Sequence, residues 1–187
     1  MVNTNLMLRR GFTLIELLIV IAVLGILAIA VLSAINPIEQ IDRSRDTGSR
    51  SDAEQLIGGL DRYYATQGYY AWKTSPTTPI SDATVWAKVD NTWTDGTTPV
   101  LTKLSVAGTG ELKSSFVTRI IGTSYNSLYK YNSGDPGAST YVCFVPKSSA
   151  FQTEAGTRCG ATVPSDWPAS ACAAGCVAAK TCYSCLP

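Results

Sequence analysis

The chain has 187 residues, a net charge of +1, few charged side chains and no histidine. That length suits one domain plus a helix. Near-neutrality argues against nucleic acid or acidic partners, and the lack of histidine removes the commonest general base and metal ligand. No nucleotide-binding loop, G-x-S-x-G elbow or H-E-x-x-H occurs, so the sequence does not read as an enzyme and calls for no cofactor.

Near the start, Arg9-Arg10-Gly11-Phe12 leads into an apolar run in which Glu16 is the one charge before Glu39. Some twenty apolar residues suffice to cross the roughly 30 Å hydrocarbon core. The arginine pair predicts a cytoplasmic N-terminus and export of everything after Asn36. An ordinary signal peptide, cut near Ala28-Ile29-Ala30, is disfavoured because the apolar core is too long and leads into an amphipathic helix. A plain signal anchor remains open on composition alone. Glu16 needs a reason, because a carboxylate at the centre of a membrane helix costs about 2.5–3.5 kcal/mol. It sits where a helix N-terminus favours negative charge.

The residues Arg9-Arg10-Gly11-Phe12-Thr13-Leu14-Ile15-Glu16 resemble the processing site of bacterial type IV prepilins and type II secretion pseudopilins. The resemblance implies a prepilin peptidase that cuts after Gly11 and methylates the new N-terminal Phe12. It implies a helical homopolymer in which the Phe12 amine of an arriving subunit meets Glu16 of one already in place. It also implies an inner-membrane platform protein and an assembly ATPase as partners, an inner-membrane precursor with its N-terminus inside, and an extracellular pilus. The expected fold is α+β: a long helix, half membrane-spanning and half amphipathic, packed on an antiparallel meander with a disulfide-rich C-terminal region. Segment limits follow: leader 1–11, assembly helix 12–36, amphipathic half 37–67, variable loop and sheet 68–142, Cys-rich region 143–187. Ser33 stands where the family usually has a helix-breaking proline, so loosening is expected between Gly25 and Pro37. A structural pilus subunit is the reading. A minor pilin, a pseudopilin and a filament-tip adhesin or DNA-uptake pilin are the alternatives, the last lacking any cluster of Lys and Arg in the exported part.

Beyond Pro37, Ile38, Ile41, Ala53, Leu56, Ile57, Leu60 and Tyr64 recur at helical spacing. Glu39 stands four before Arg43, and Asp46 four before Arg50, the favourable order on a helix surface. The polar stretch 42–52 reads either as a solvated face or as inter-subunit contact. Gly48 and Gly58-Gly59 weaken the helix, so packing must hold it, and Gly68 is the expected stop. Tyr63, Tyr64, Tyr69 and Tyr70 read as packing rather than a ligand box. A short strand or helical turn is expected near 84–89, a turn at Asp95-Gly96, and a strand at 100–106. Residues 111–121 read as strand or short helix. Residues 125–131 and 140–145 form a hairpin around 132–137.

All six cysteines lie late: Cys143, Cys159, Cys172, Cys176, Cys182 and Cys185. An even number in an exported region favours three disulfides over zinc bound through Cys172-x3-Cys176 and Cys182-x2-Cys185, so no metal is expected. Loop economy pairs Cys143 with Cys159.

Overall fold

The computed structural model describes residues 11–34, 36–75, 86–122, 126–134 and 137–187. The chain divides into two units, Met1–Ile38 and Glu39–Pro187. The first is built on helix α1 (Leu14–Ala34). Pro37 opens helix α2 (Pro37–Gln67), where its missing N–H costs nothing; Ile35, within the stretch of expected loosening, lies outside the described residues. Gly25 stays inside regular helix. Arg9, Arg10 and the rest of the expected leader before Gly11 lie outside the described residues, as do residues 76–85 of the expected variable loop.

In the second unit α2 packs on a sheet. Strand β1 (Trp86–Lys88) falls within the stretch expected to hold one, though its first residues, Thr84 and Val85, lie outside the described set. It is followed by helix α3 (Val100–Leu104) and helix α4 (Ser114–Ile120). Strands β2 (Leu128–Tyr131) and β3 (Tyr141–Phe144) pair as the predicted hairpin; Tyr125, Asp135 and Pro136 of that prediction lie outside the described residues. Then come helix α5 (Ser149–Cys159), a 3-10 turn (Ala169–Cys172), helix α6 (Cys176–Ala179) and strand β4 (Ser184–Leu186). The sheet is antiparallel throughout, in the order β1-β2-β3-β4. The fold is therefore α+β, with a meander and a disulfide-bearing C-terminal region.

The strand expected at 100–106 is a helix instead. Val100, Leu101 and Leu104 share one helical face and are fully buried, so tertiary burial overrides the β-propensity of valine. Residues 114–120 take the helical option, burying Phe116 and Ile120. The stop at Gly68 holds, with φ +76°, and the Asp95-Gly96 turn is closed by the Asp95 N–H donating to Thr98 O at 3.1 Å. The core gathers Ala53, Leu56, Leu60 and Tyr63 of α2 with α3, α4 and the inner sheet residues Leu128, Val142 and Phe144. Gly59 lets Leu112 approach, since a Cβ there would stand 2.7 Å from Leu112 Cδ2. Lys130 is the unexpected member of the inner face: it is fully buried, with Nζ 4.0 Å from the centre of the Trp72 ring.

The polar stretch 42–52 keeps a solvated face, but Asp46, Ser49 and Asp52 on its other side are buried, whereas Ile41 and Tyr64 are exposed. Asp46 accepts from the Lys147 N–H (3.0 Å), the Ser148 N–H (2.7 Å) and the Ser148 hydroxyl (2.6 Å), while Glu39 accepts from the Ser149 N–H (2.9 Å) and hydroxyl (3.0 Å). Two carboxylates of α2 thus cap the start of α5, whose own N-cap, Ser148, makes no side-chain cap. Arg50, expected to pair with Asp46, instead meets Glu154 at 2.8 Å. Asp52 takes Arg119 of α4.

The three bridges are Cys143–Cys185, Cys159–Cys172 and Cys176–Cys182. The expected Cys143–Cys159 pairing is wrong because sheet register, not loop length, selects the partner. In the β3–β4 ladder Cys185 lies directly opposite Cys143, with Cα atoms 4.0 Å apart. Asp166 fastens the intervening loop, accepting from the Ser139 N–H and the Tyr141 hydroxyl.

Asp46→Ala should lower stability by about 2–3 kcal/mol, adding a lost cap to buried donors left unpaired; urea denaturation checks this as a lower midpoint at unchanged slope. Cys185→Ala should cost about 4 kcal/mol by loop entropy, and non-reducing peptide mapping of the native chain should return the three pairs above. Acid should also unfold this unit. The Ser149 N–H holds the Glu39 carboxyl below its ordinary range, and the Ser139 N–H does so for Asp166. Burial would raise Asp95, but Lys103 and the N–H groups of Thr98 and Thr97 outweigh it. Stability from depressed carboxylates is present above about pH 4 and is lost as pH falls through their folded values. Asp52, raised by burial against the pull of Arg119, works in the opposite sense. The net expectation is a thermal midpoint that is level from neutrality to about pH 5 and drops below about pH 4.

Candidate processing and assembly segment

Gly11, Phe12 and Thr13 precede the helix in non-helical backbone and are exposed, Phe12 by 83%. Helix α1 then runs 21 residues, about 30 Å at about 1.5 Å per residue. The span Leu14–Ser33 has a mean hydropathy of 3.1 and none of it is buried. An apolar surface of that kind with no protein cover is suited to lipid or to other copies of itself. Where the family usually has proline, Ser33 donates its hydroxyl to Ala30 O at 2.8 Å, and the helix continues to Ala34.

Glu16 lies in the first turn of α1, and its partner is local. The Thr13 N–H donates to Glu16 Oε2 at 2.9 Å and the Thr13 hydroxyl to the same oxygen at 2.7 Å; the Glu16 N–H donates to Thr13 Oγ1 at 3.2 Å. This is a capping box, the N-cap threonine and the third helical residue satisfying each other's backbone. The signal Thr13-x-x-Glu16 is legible in the sequence and adds to the reading of Glu16 as charge alone.

The expected site residues fall into two places. Gly11, Phe12 and Glu16 stand together at the start of α1. The six cysteines belong to the other unit: Cys143 and Cys185 lie on the outer sheet face beside Tyr141 and Trp167, and Cys159, Cys176 and Cys182 pack around Ala155. The aromatic residues read as packing do pack: Tyr63 and Tyr69 meet edge to face, and Tyr70 stacks on Trp72.

The profile of a family described as "Prokaryotic N-terminal methylation motif" matches residues 6–32. Neither the curated proteins nor the solved structures yielded a match. The matched residues take in the glycine, the phenylalanine, the capped glutamate and most of the uncovered helix. Across that stretch the chain carries the prokaryotic N-terminal methylation motif, the signature of type IV pilins and pseudopilins.

Proposed function

We propose that this protein is a non-enzymatic structural subunit that polymerises through α1 into a type IV pilus. The observation that carries the proposal is the methylation motif lying on an apolar helix that is uncovered from end to end. In this reading residues 1–11 are a leader removed by prepilin peptidase after Gly11, and Phe12 becomes the methylated N-terminus. Residues 12–36 hold the precursor in the inner membrane and later form the filament core. Residues 37–67, 68–142 and 143–187 supply the amphipathic helix, the sheet and the Cys-rich surface. The platform protein and assembly ATPase of a pilus system drive the transfer from membrane to filament.

The exposed, non-helical backbone at Gly11 and Phe12 suits a peptidase, which needs its scissile bond outside a helix. Glu16 has two duties. It caps its own helix through Thr13, with both donated bonds falling on Oε2, which leaves Oε1 as acceptor for the amine of an arriving subunit. A charge moved into an apolar filament core is tolerated when it meets its opposite and is costly alone. That pairing would set the axial register of each new subunit. A pseudopilin or minor pilin shares this N-terminal chemistry, and filament abundance separates those roles.

Three measurements test the reading. Intact mass and N-terminal sequencing of protein sheared from cells should return a chain beginning at N-methylated Phe12; a chain beginning at Met1 or near Ala30 would remove the proposal. Gly11→Ala should leave the precursor uncut in the membrane. Glu16→Gln keeps the cap, because glutamine serves at that position of a capping box, yet loses the charge. It should therefore be cleaved normally and give few or no filaments. Filament yield equal to the parent chain's would confine Glu16 to capping.

A further inference from the structure

The three bridges differ in what solvent can reach. Cys143–Cys185 and Cys176–Cys182 join buried residues, whereas Cys159 and Cys172 are both partly exposed. A thiol in solution therefore meets Cys159–Cys172 first, because exchange requires a thiolate to reach a disulfide sulfur. Opening that bridge has a consequence further in, for the Sγ atoms of Cys159, Cys176 and Cys182 all lie within 4.8 Å of one another. Non-bonded carbon atoms touch at about 3.5–4.0 Å, so a freed Cys159 Sγ stands about an ångström from contact with either sulfur of the buried bridge. Rotation about its own χ1 can close that gap. Cys172 is outside the close group, and Cys143 and Cys185 belong to the cluster on the outer sheet face.

Cys159 keeps its place without its own bridge. It is the last residue of α5, whose start is capped by Asp46 and Glu39. Ala155, one turn earlier on the same helix, packs with Cys176 and Cys182, and Cys159 packs against that cluster. On the far side, the Thr181 N–H donates to Cys176 O at 2.9 Å, which draws together the two ends of the loop that Cys176–Cys182 closes. The pairing of β4 with β3 fixes the chain just beyond Cys182. None of these contacts runs through the Cys159–Cys172 bond.

We propose that Cys159 is a thiol–disulfide exchange site, through which opening of the exposed bridge is passed to the buried Cys176–Cys182 bridge. A dithiol in solution reduces Cys159–Cys172: the dithiol gives up two electrons and two protons and becomes a disulfide, and both cysteines become thiols. The Cys159 thiolate then attacks Cys176 or Cys182. A bond forms between Cys159 Sγ and the sulfur attacked, the Cys176–Cys182 bond breaks, and the displaced sulfur leaves as a thiolate that takes up the proton Cys159 gave away. This second step consumes no electrons. It leaves Cys172 and one member of the inner pair as thiols and joins the end of α5 directly to the loop 176–182. The region thereby keeps a cross-link where residues 161–187, with few large apolar side chains, have little core of their own. Cys143 and Cys185, buried opposite each other in the sheet, take no part.

Full-length chains carrying Cys172→Ser or Cys159→Ser, held in detergent micelles without reductant, give the first test. In the Cys172→Ser chain the bridge should migrate: alkylation after an acid quench, followed by non-reducing peptide mapping, should find Cys159 joined to Cys176 or Cys182 and the label on the other. In the Cys159→Ser chain Cys172 should take the label and Cys176–Cys182 should persist. A labelled Cys159 beside an intact Cys176–Cys182 in the first variant, or a rearranged bridge in the second, would overturn the proposal. The native chain repeats the test without a substitution, so a misfolded variant cannot decide it. Limiting dithiothreitol, with samples quenched and mapped over time, should yield a species in which Cys172 is labelled and Cys159 is held by Cys176 or Cys182, with Cys143–Cys185 still closed. Labelling of Cys159 and Cys172 together, with Cys176–Cys182 intact throughout the time course, would exclude the exchange.

Discussion

Helix α1 is apolar over nearly its whole length, and among the described residues none of its membrane-length span is buried. A span with more than a dozen exposed large aliphatic side chains has two solvents open to it: lipid, or other copies of the same span. The second unit has its own buried core, gathered from α2, α3, α4 and the inner sheet residues, and three disulfide bridges beside it. The division of the chain into two units at Ile38 and Glu39 follows the same line.

Within the second unit, the polar segment of α2 does what an apolar stripe does further along. Leu56 and Leu60 bind the sheet by burial; Asp46 and Glu39 bind the start of α5 by presenting carboxylates to N–H groups that lack helical partners. A buried carboxylate is costly unless fully hydrogen-bonded, and Asp46 accepts from both backbone and hydroxyl donors of one short segment. The result ties a helix beginning at Pro37 to a segment more than a hundred residues later. This cap and the Cys143–Cys185 bridge therefore anchor the C-terminal region on different elements.

Much of this was legible from residues with a strong local signal. The uncovered helix, the stop at Gly68, the Asp95-Gly96 turn and the β2–β3 hairpin were all carried by runs of composition or by turn chemistry. What escaped was set by partners distant in sequence. Ile41 and Tyr64 fit a helical stripe yet are exposed, because the sheet meets α2 along Ala53, Leu56, Leu60 and Tyr63 instead. Helix α5 buries only Ala155 among its residues, so it has no apolar period to read. Its start is capped by Asp46 and Glu39, whose role appears only once α2 and residues 147–149 are adjacent. Strand β4 is three residues at the end of a Cys-rich tail, and missing it misdirected the choice of partner for Cys143. Lys130 on the inner face could not be read from an alternation of leucine, lysine and tyrosine.

In the proposed assembly, the local capping role of Glu16 and a joining role share one side chain. Glu16 stands in the first turn of α1, short of the membrane-centre position where a carboxylate costs about 2.5–3.5 kcal/mol, and the capping box formed with Thr13 offsets part of its smaller cost there. A lone cap would be better served by glutamine, which makes the same box without the charge. The proposed assembly gives the charge its use: the remaining unfavourable energy is relieved only when a positive group arrives, so the carboxylate favours the joined state over the separate one. By the same reasoning Thr13 matters to both states of the proposed assembly, because it holds the carboxylate at the helix start, next to the Gly11-Phe12 bond at which the proposed processing would create the amine.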